Sequence, residues 1–178
     1  MEEKIIRIGI TGPESTGKSV LAEQLAMHYR TSWVPEYSRE YLEKIGRPYE
    51  LEDILEIAKG QLQKEEEQSR SANRFLFCDT ELIVTKIWSE VKYQHCDPWI
   101  LKNIDIHRYP LYLLCDIDLP WEYDPLREHP ERRSFLFDLY LKELSRRNFP
   151  FAVINGMGED RLKNAIHIIE TVNFNRPF

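Results

Sequence analysis

The sequence contains no long hydrophobic run, few cysteines and no excess of basic residues. No apolar segment approaches the roughly 20 residues that cross a bilayer, which argues against a transmembrane helix and a membrane partner. Cys78, Cys96 and Cys115 are far apart and form no C-x-x-C pair, so we expect buried thiols in a reducing compartment. The formal net charge of -6 argues against a nucleic-acid partner. Because Met1–Lys4 leads directly into a strand-like segment, no signal peptide is expected, and we predict a cytoplasmic protein.

The most informative segment is residues 12–19, which read G-P-E-S-T-G-K-S and fit the phosphate-binding pattern G-x-x-x-x-G-K-[ST]. The glycines allow successive backbone amides to face anionic oxygens. Lys18 can reach the β- and γ-phosphates, and the Ser19 hydroxyl is a hard oxygen ligand for Mg²⁺. The segment lies between an apolar run and a helical pattern, as a P-loop requires. We therefore predict that ATP and Mg²⁺ bind through Gly12, Glu14, Ser15, Thr16, Gly17, Lys18 and Ser19.

Strand-like segments alternate with helical patterns along the remaining chain. This alternation predicts a parallel sheet covered by helices on both faces. We expect a P-loop kinase-like α/β fold with three α/β/α layers, five parallel strands and a central P-loop strand. The length of 178 residues predicts one domain spanning 1–178. The predicted strands are residues 5–11, 32–34, 75–79, 111–115 and 151–154.

Several polar residues follow these strands and should meet beyond the carboxyl edge of the sheet. Asp79 ends an apolar strand, as a Walker B aspartate does, and would help to hold Mg²⁺ with Ser19. It also suits a helix N-cap, and both roles are compatible. Asn155 follows the last strand and is predicted to contact the nucleotide, and Asp116 follows the fourth.

Residues 36–39 follow the short second strand and face the expected position of the γ-phosphate. A carboxylate at Glu36 could orient or deprotonate an acceptor hydroxyl, while Tyr37 could stack on a ring and Arg39 could hold a polar group. The alternative is an ordinary capped helix with an exposed Glu and Arg.

Residues 118–133 mix prolines with charged residues between the fourth strand and the next helix, where a lid would lie. An arginine in a lid can stabilise a transferring phosphoryl group and exclude water. Arg127 is the best candidate, because it stands between proline-containing turns, and we predict that it contacts the nucleotide. The alternative is that the arginines of this segment only form surface ion pairs.

Four segments together resemble the ribosylnicotinamide kinase domain of the NadR type: residues 12–19, E-Y-S-R-E at 36–40, D-T-E at 79–81, and Leu126-Arg127. The resemblance covers most of the chain. It implies ATP-dependent phosphorylation of the 5′-hydroxyl of nicotinamide riboside, which yields nicotinamide mononucleotide for NAD synthesis. The H-x-G-H motif of an adenylyltransferase domain is absent, so a stand-alone kinase domain is expected.

The leading hypothesis is therefore a small-molecule kinase that acts on nicotinamide riboside or a related nucleoside. Lys18 and Arg127 would stabilise the transferring group, and either Glu36 or Asp79 would position the hydroxyl. The acceptor would be bound by Glu36, Tyr37, Arg39, Asp79 and Trp88. Two alternatives stay open: a nucleoside or nucleotide kinase of other specificity, and a regulatory ATPase whose bound nucleotide switches contact with a partner.

Overall fold

The computed structural model describes residues 5–174, which form five strands and seven helices. The N-terminal Met1–Lys4, on which the expectation about a signal peptide rests, lies outside the described residues. The strands are β1 (Ile6–Thr11), β2 (Trp33–Val34), β3 (Phe75–Asp79), β4 (Tyr112–Cys115) and β5 (Phe151–Ile154). The helices are α1 (Lys18–Tyr29), α2 (Tyr37–Ile45), α3 (Leu51–Ser69), α4 (Leu82–Tyr93), α5 (Pro98–Ile106), α6 (Arg133–Arg146) and α7 (Gly158–Thr171).

All five strands are parallel and lie in the order β2-β3-β1-β4-β5. The predicted five-stranded parallel sheet with a central P-loop strand is therefore confirmed. The strand bounds differ from the predicted ones by one residue at β1, β2 and β4, as is usual where pairing begins.

Side chains of successive strand residues point to opposite faces of the sheet, and this alternation builds two cores. Ile8 and Ile10 of β1, with Phe77 of β3, pack on one face against α1 and α7. Leu76 and Cys78 of β3 pack on the other face against α3, α4, α5 and α6. The protein therefore has the predicted three α/β/α layers.

This topology places the carboxyl ends of β1 and β3 side by side, because Ile10 is paired with Asp79. The loops that leave β1, β2 and β3 consequently share one edge of the sheet. Among the helices of residues 5–174, none is both long and apolar enough to cross a membrane.

Candidate active site

The loop between β1 and α1 has a backbone that favours glycine at two positions. Gly12 has φ 132°, and a Cβ there would lie 2.9 Å from the carbonyl oxygen of Cys115. Gly17 has φ 75°, and a Cβ there would lie 2.9 Å from Leu119 Cδ1. A side chain at Gly12 would therefore clash with backbone, whereas at Gly17 the positive φ disfavours an L residue, since the Leu119 side chain could move.

Side chains of this loop bond to its own backbone and to β3. The Thr16 hydroxyl donates to the carbonyl of Pro13 at 2.8 Å, and Lys18 Nζ donates to the same carbonyl at 2.7 Å. Ser19 Oγ donates to Asp79 Oδ2 at 2.5 Å. A hydroxyl and a carboxylate are thus in contact at the start of α1, beside the amides of its first turn.

Asp79 is fully buried at the end of β3. Burial, followed by the negative charge of Glu36, raises the pKa of Asp79 to about 6, against the opposing effects of Lys18 and Ser19. The next residue, Thr80, has φ 66°, an unfavourable backbone region for a β-branched side chain. Local strain of this kind is common at functional sites.

Glu36 immediately precedes α2, and its carboxylate is not used to cap that helix. Instead, Glu36 Oε1 accepts a hydrogen bond from Ser38 Oγ at 2.7 Å. Arg39 Nη2 lies 2.9 Å from Asp124 Oδ2 in the segment predicted to be a lid. The start of α2 therefore carries a guanidinium that contacts the segment 118–133, and the residue before it places a carboxylate in the lining of the cavity described below.

The segment 118–133 lies against the P-loop. The Glu14 carboxylate accepts hydrogen bonds from the backbone amides of Glu128 and His129, at 3.0–3.1 Å. Arg127 Nη1 donates to Ser15 Oγ at 3.3 Å. An acidic P-loop side chain thus holds the backbone beside Arg127, and this brings the arginine to the phosphate-binding loop.

The segment also contacts helix α4 and the chain before α3. Glu128 accepts hydrogen bonds from Tyr49 OH at 2.7 Å and from Lys92 Nζ at 2.9 Å. Trp88 Nε1 donates to the same tyrosine oxygen at 2.9 Å. We call Tyr49, Trp88, Lys92 and Glu128 the clasp, because together they join the segment 118–133 to the opposite wall of the site.

One cavity of about 440 Å³ joins these parts. Three of the predicted site residues, Tyr37, Asp79 and Asn155, do not line this cavity. Tyr37 packs over Gly60 of α3, and Asp79 lies beneath Ser19. Asn155 is exposed, and its Oδ1 accepts a hydrogen bond from Asn164 at 3.2 Å. The predicted site residues that line the cavity are Gly12, Glu14, Ser15, Thr16, Gly17, Lys18, Ser19, Glu36, Arg39, Trp88 and Arg127.

Arg161 of α7 also lines the cavity and was not among the residues predicted from the sequence. It is 4% exposed, and its Nη2 donates to the carbonyls of Thr16 at 2.7 Å and Asp116 at 3.0 Å. Its guanidinium therefore braces the P-loop against the end of β4. A signal was present: residue 161 falls on the buried stripe of α7 with Ala165 and Ile169, where a charge is unusual.

Comparison with known proteins agrees with this architecture. The trifunctional NAD biosynthesis/regulator protein NadR of Escherichia coli K12 is 30% identical over 154 residues, which is 81% of this chain. The alignment covers 37% of that protein, so the chain spans little more than a third of its length. The resemblance to NadR that the motifs indicated is confirmed.

Solved structures share the fold. A crystal structure of NadR protein in complex with NR has a TM-score of 0.80 at 24% identity, covering 93% of this chain and 50% of that chain. NadR protein in complex with NAD and AMP-PNP has a TM-score of 0.74 at 21% identity, covering 97% of this chain and 51% of that chain. Deoxyadenosine kinase from M. mycoides, with products dCMP and dCDP bound, has a TM-score of 0.63 at 11% identity, covering 94% of this chain and all of that chain.

A sequence profile of the AAA domain family matches residues 7–161, a span that includes the P-loop, Glu36, Asp79, the segment 118–133 and Arg161. The chain therefore belongs to the AAA domain family described by that profile.

Proposed function

We propose that this protein is an ATP-dependent kinase that transfers the γ-phosphoryl group to the 5′-hydroxyl of nicotinamide riboside. The observation that carries the proposal is the shared cavity, in which the P-loop and the Glu36 carboxylate line one continuous space. A donor phosphate and an acceptor alcohol need to be held together in this way, because phosphoryl transfer depends mainly on positioning and charge stabilisation. Similarity to NadR over 81% of the chain, together with a NadR structure in complex with NR, supports this acceptor.

The nucleotide would bind with its phosphates against the amides of the P-loop at the start of α1. Lys18 would exchange the carbonyl of Pro13 for the β- and γ-phosphates, since its Nζ already lies at the mouth of the loop. Arg127 would add a second cation to the transferring group, because Glu14 holds the adjacent backbone against the loop. We infer that residues 118–133 act as a lid, and that the chain works as one domain.

The donor set at Ser19 and Asp79 fits Mg²⁺. A hydroxyl oxygen and a carboxylate oxygen are in contact there, and magnesium prefers hard oxygen ligands completed by phosphate and water. When bound, the ion would offset the negative charge that develops on the phosphate oxygens. Asp79 is buried beneath Ser19 and would hold the ion directly or through water, which leaves Glu36 to orient the acceptor.

Glu36 is suited to that task, because it lines the cavity and its carboxylate is not occupied by capping α2. It would accept a hydrogen bond from the acceptor hydroxyl and turn its oxygen toward the phosphoryl group. Arg39 and Trp88 line the same cavity and would contact the rest of the nucleoside. Tyr37, which packs over Gly60, would act through the position of α2.

The test is an assay of the purified protein with Mg·ATP and a panel of nucleosides that includes nicotinamide riboside and deoxyadenosine. We expect nicotinamide mononucleotide as the main product. Lys18→Ala should abolish transfer while the unfolding transition is preserved. Glu36→Gln should lower kcat far more than ATP affinity. Preferential phosphorylation of deoxyadenosine would favour the nucleoside kinase alternative, whose fold this chain shares. Slow ATP loss with no phosphorylated nucleoside would favour the regulatory ATPase.

A further inference from the structure

The two carboxylates of the site lie at the end of one strand and after the end of another, so their separation needs a structural determinant. Glu36 follows β2, which is only two residues long and lies at the sheet edge. Asp79 ends β3. So short an edge strand cannot by itself hold the loop that carries Glu36, because its pairing with β3 already ends at Val34.

The start of α2 has a backbone amide that its own N-cap does not satisfy. The first N–H groups of a helix have no partner within the helix, and a side chain at the N-cap usually accepts from one of them. Glu36 occupies the N-cap but makes no such bond. The amide of Tyr37 donates instead to Gln61 Oε1 of α3, at 3.0 Å.

The same glutamine satisfies the end of β3. The amide of Thr80 donates to the carbonyl of Ile10 in β1, so the carbonyl of Asp79, in the same peptide unit, points to the opposite side, toward β2. There β2 has already ended, at Val34. Gln61 Nε2 donates to this carbonyl at 3.2 Å.

Gln61 is 2% exposed, and both polar atoms of its amide are used. The preceding residue, Gly60, adds an independent contact with the same segment. A Cβ at Gly60 would lie 1.9 Å from Cε1 of Tyr37, so the tyrosine ring occupies the space that a side chain would need. A glycine inside a helix lowers helix stability by about 1 kcal/mol relative to alanine. Here it lets the Tyr37 ring at the start of α2 pack directly on α3.

We propose that Gln61 is a positioning residue that sets the separation of the Glu36 and Asp79 carboxylates. It caps α2 from a neighbouring helix and binds the end of β3 with the same side chain. Gln61 binds the first amide of α2, while the Glu36 carboxylate, which accepts from Ser38 Oγ, lines the cavity without bonding to an amide of the helix. The effect of Gln61 on catalysis rests on the proposed kinase function, whereas its capping role does not.

The test compares Gln61→Met, which keeps the length of the side chain and removes both hydrogen bonds, with Gln63→Met. Gln63 lies on the same helix, but its side chain is exposed and donates to Glu67 Oε1 at 2.9 Å. Amide hydrogen exchange followed by NMR needs no substrate. We expect the Tyr37 amide to exchange at least about fivefold faster in Gln61→Met, as the loss of one hydrogen bond implies. Gln63→Met should leave it unchanged.

Kinetics then test the link to catalysis. In Gln61→Met we expect kcat to fall about tenfold or more, because a displaced carboxylate no longer meets the acceptor. The KM for ATP should stay within about twofold, since the P-loop is untouched. In a Glu36→Gln background, the same change should lower kcat by less than about threefold, because Gln61 acts through that carboxylate. A general loss of folded protein would instead lower kcat by the same factor in the wild-type and Glu36→Gln backgrounds.

A Tyr37 amide that exchanges at the wild-type rate in Gln61→Met would overturn the capping role, and a kcat within about twofold of wild type would overturn the positioning role.

If Gln61→Met does not fold, Gln61→Glu decides the matter. It keeps an acceptor for the Tyr37 amide and has no donor for the carbonyl of Asp79 when ionised. Protection of the Tyr37 amide should then persist, and its loss would refute the assigned pairing. If the wild-type protein phosphorylates no nucleoside, the proposed function fails while the exchange result still stands.

Discussion

Replacing the buried Glu65 with glutamine should stabilise the protein above neutral pH. Glu65 is 1% exposed and lies in α3. Its Oε1 accepts from Tyr109 OH at 2.5 Å, and the guanidinium of Arg7 lies 3.7 Å away. Burial raises the pKa of Glu65 from 4.5 to about 7, in spite of these two partners. A neutral glutamine of the same shape avoids the cost of the buried charge.

The sign and size follow from proton linkage. A carboxyl whose pKa is higher in the folded than in the unfolded state binds a proton on folding, so stability falls as pH rises from about 4.5 to about 7. The difference between these two pKa values corresponds to about 3 kcal/mol. Because the pKa of about 7 already includes the attraction of Arg7, this is the net gain that we expect at pH 8, or roughly 6–12 °C in Tm for a chain of this size.

The measurement is urea and thermal unfolding of wild type and Glu65→Gln between pH 4.5 and 8.5. The gain should be absent near pH 4.5 and complete above pH 7, with kcat and KM unchanged. Burial also raises the pKa of Glu81, to about 7, and the negative charge of Glu65 contributes to that shift. The difference in stability between wild type and Glu65→Gln therefore includes the loss of the repulsion between these two carboxylates. Glu66→Gln is the matched control. The Glu66 carboxylate is exposed and lies 2.8 Å from Arg7, which lowers the pKa of Glu66. Removing this carboxylate should therefore destabilise the folded protein slightly at neutral pH. A Glu65→Gln variant no more stable than wild type at pH 8 would refute the reasoning.

Two further substitutions test the surroundings of the site. Glu128→Gln removes the 2.9 Å ion pair with Lys92 and weakens the hydrogen bond from Tyr49. In steady-state kinetics, the KM for the acceptor should therefore rise about threefold to tenfold at low salt, and less at high salt. An unchanged KM would contradict a role for the clasp. Gly60→Ala should lower the free energy of unfolding by about 1–2 kcal/mol, because the new methyl group displaces the ring of Tyr37. This loss should outweigh the better helix propensity of alanine. A variant that is more stable than wild type in urea denaturation would show that the ring moves away without cost.

Local patterns were sufficient to predict the fold. The apolar strand before the P-loop and the helical stripe after it are defined by neighbouring residues, and the same holds for the strand at 75–79 and for the last helix. Parallel pairing then follows from the alternation of strands and helices, because a right-handed crossover leaves few arrangements. The central position of β1, expected for a P-loop strand, is the one observed.

The direction of individual side chains was not predictable in the same way. Glu36 and Tyr37 are adjacent in sequence, yet one lines the cavity and the other packs on α3. Asn155 follows a strand as predicted, but its Oδ1 accepts a hydrogen bond from Asn164 and it stays at the surface. In each case the outcome depends on a partner that is distant in sequence or on the exact end of an element, where the hydrophobic pattern carries no information.

The sequence by itself determined the phosphate-binding loop, because the φ values of its glycines and the chemistry of Lys18 and Ser19 are local properties. It also determined the layers of the fold, through the periods of its apolar residues. Only the tertiary structure decided which polar groups hold the site together: Arg161 reaches the P-loop from α7, and Gln61 of α3 joins the start of α2 to the end of β3. The physical reason is that a buried polar group must find partners, and those partners are brought near it only when the helices pack on the sheet.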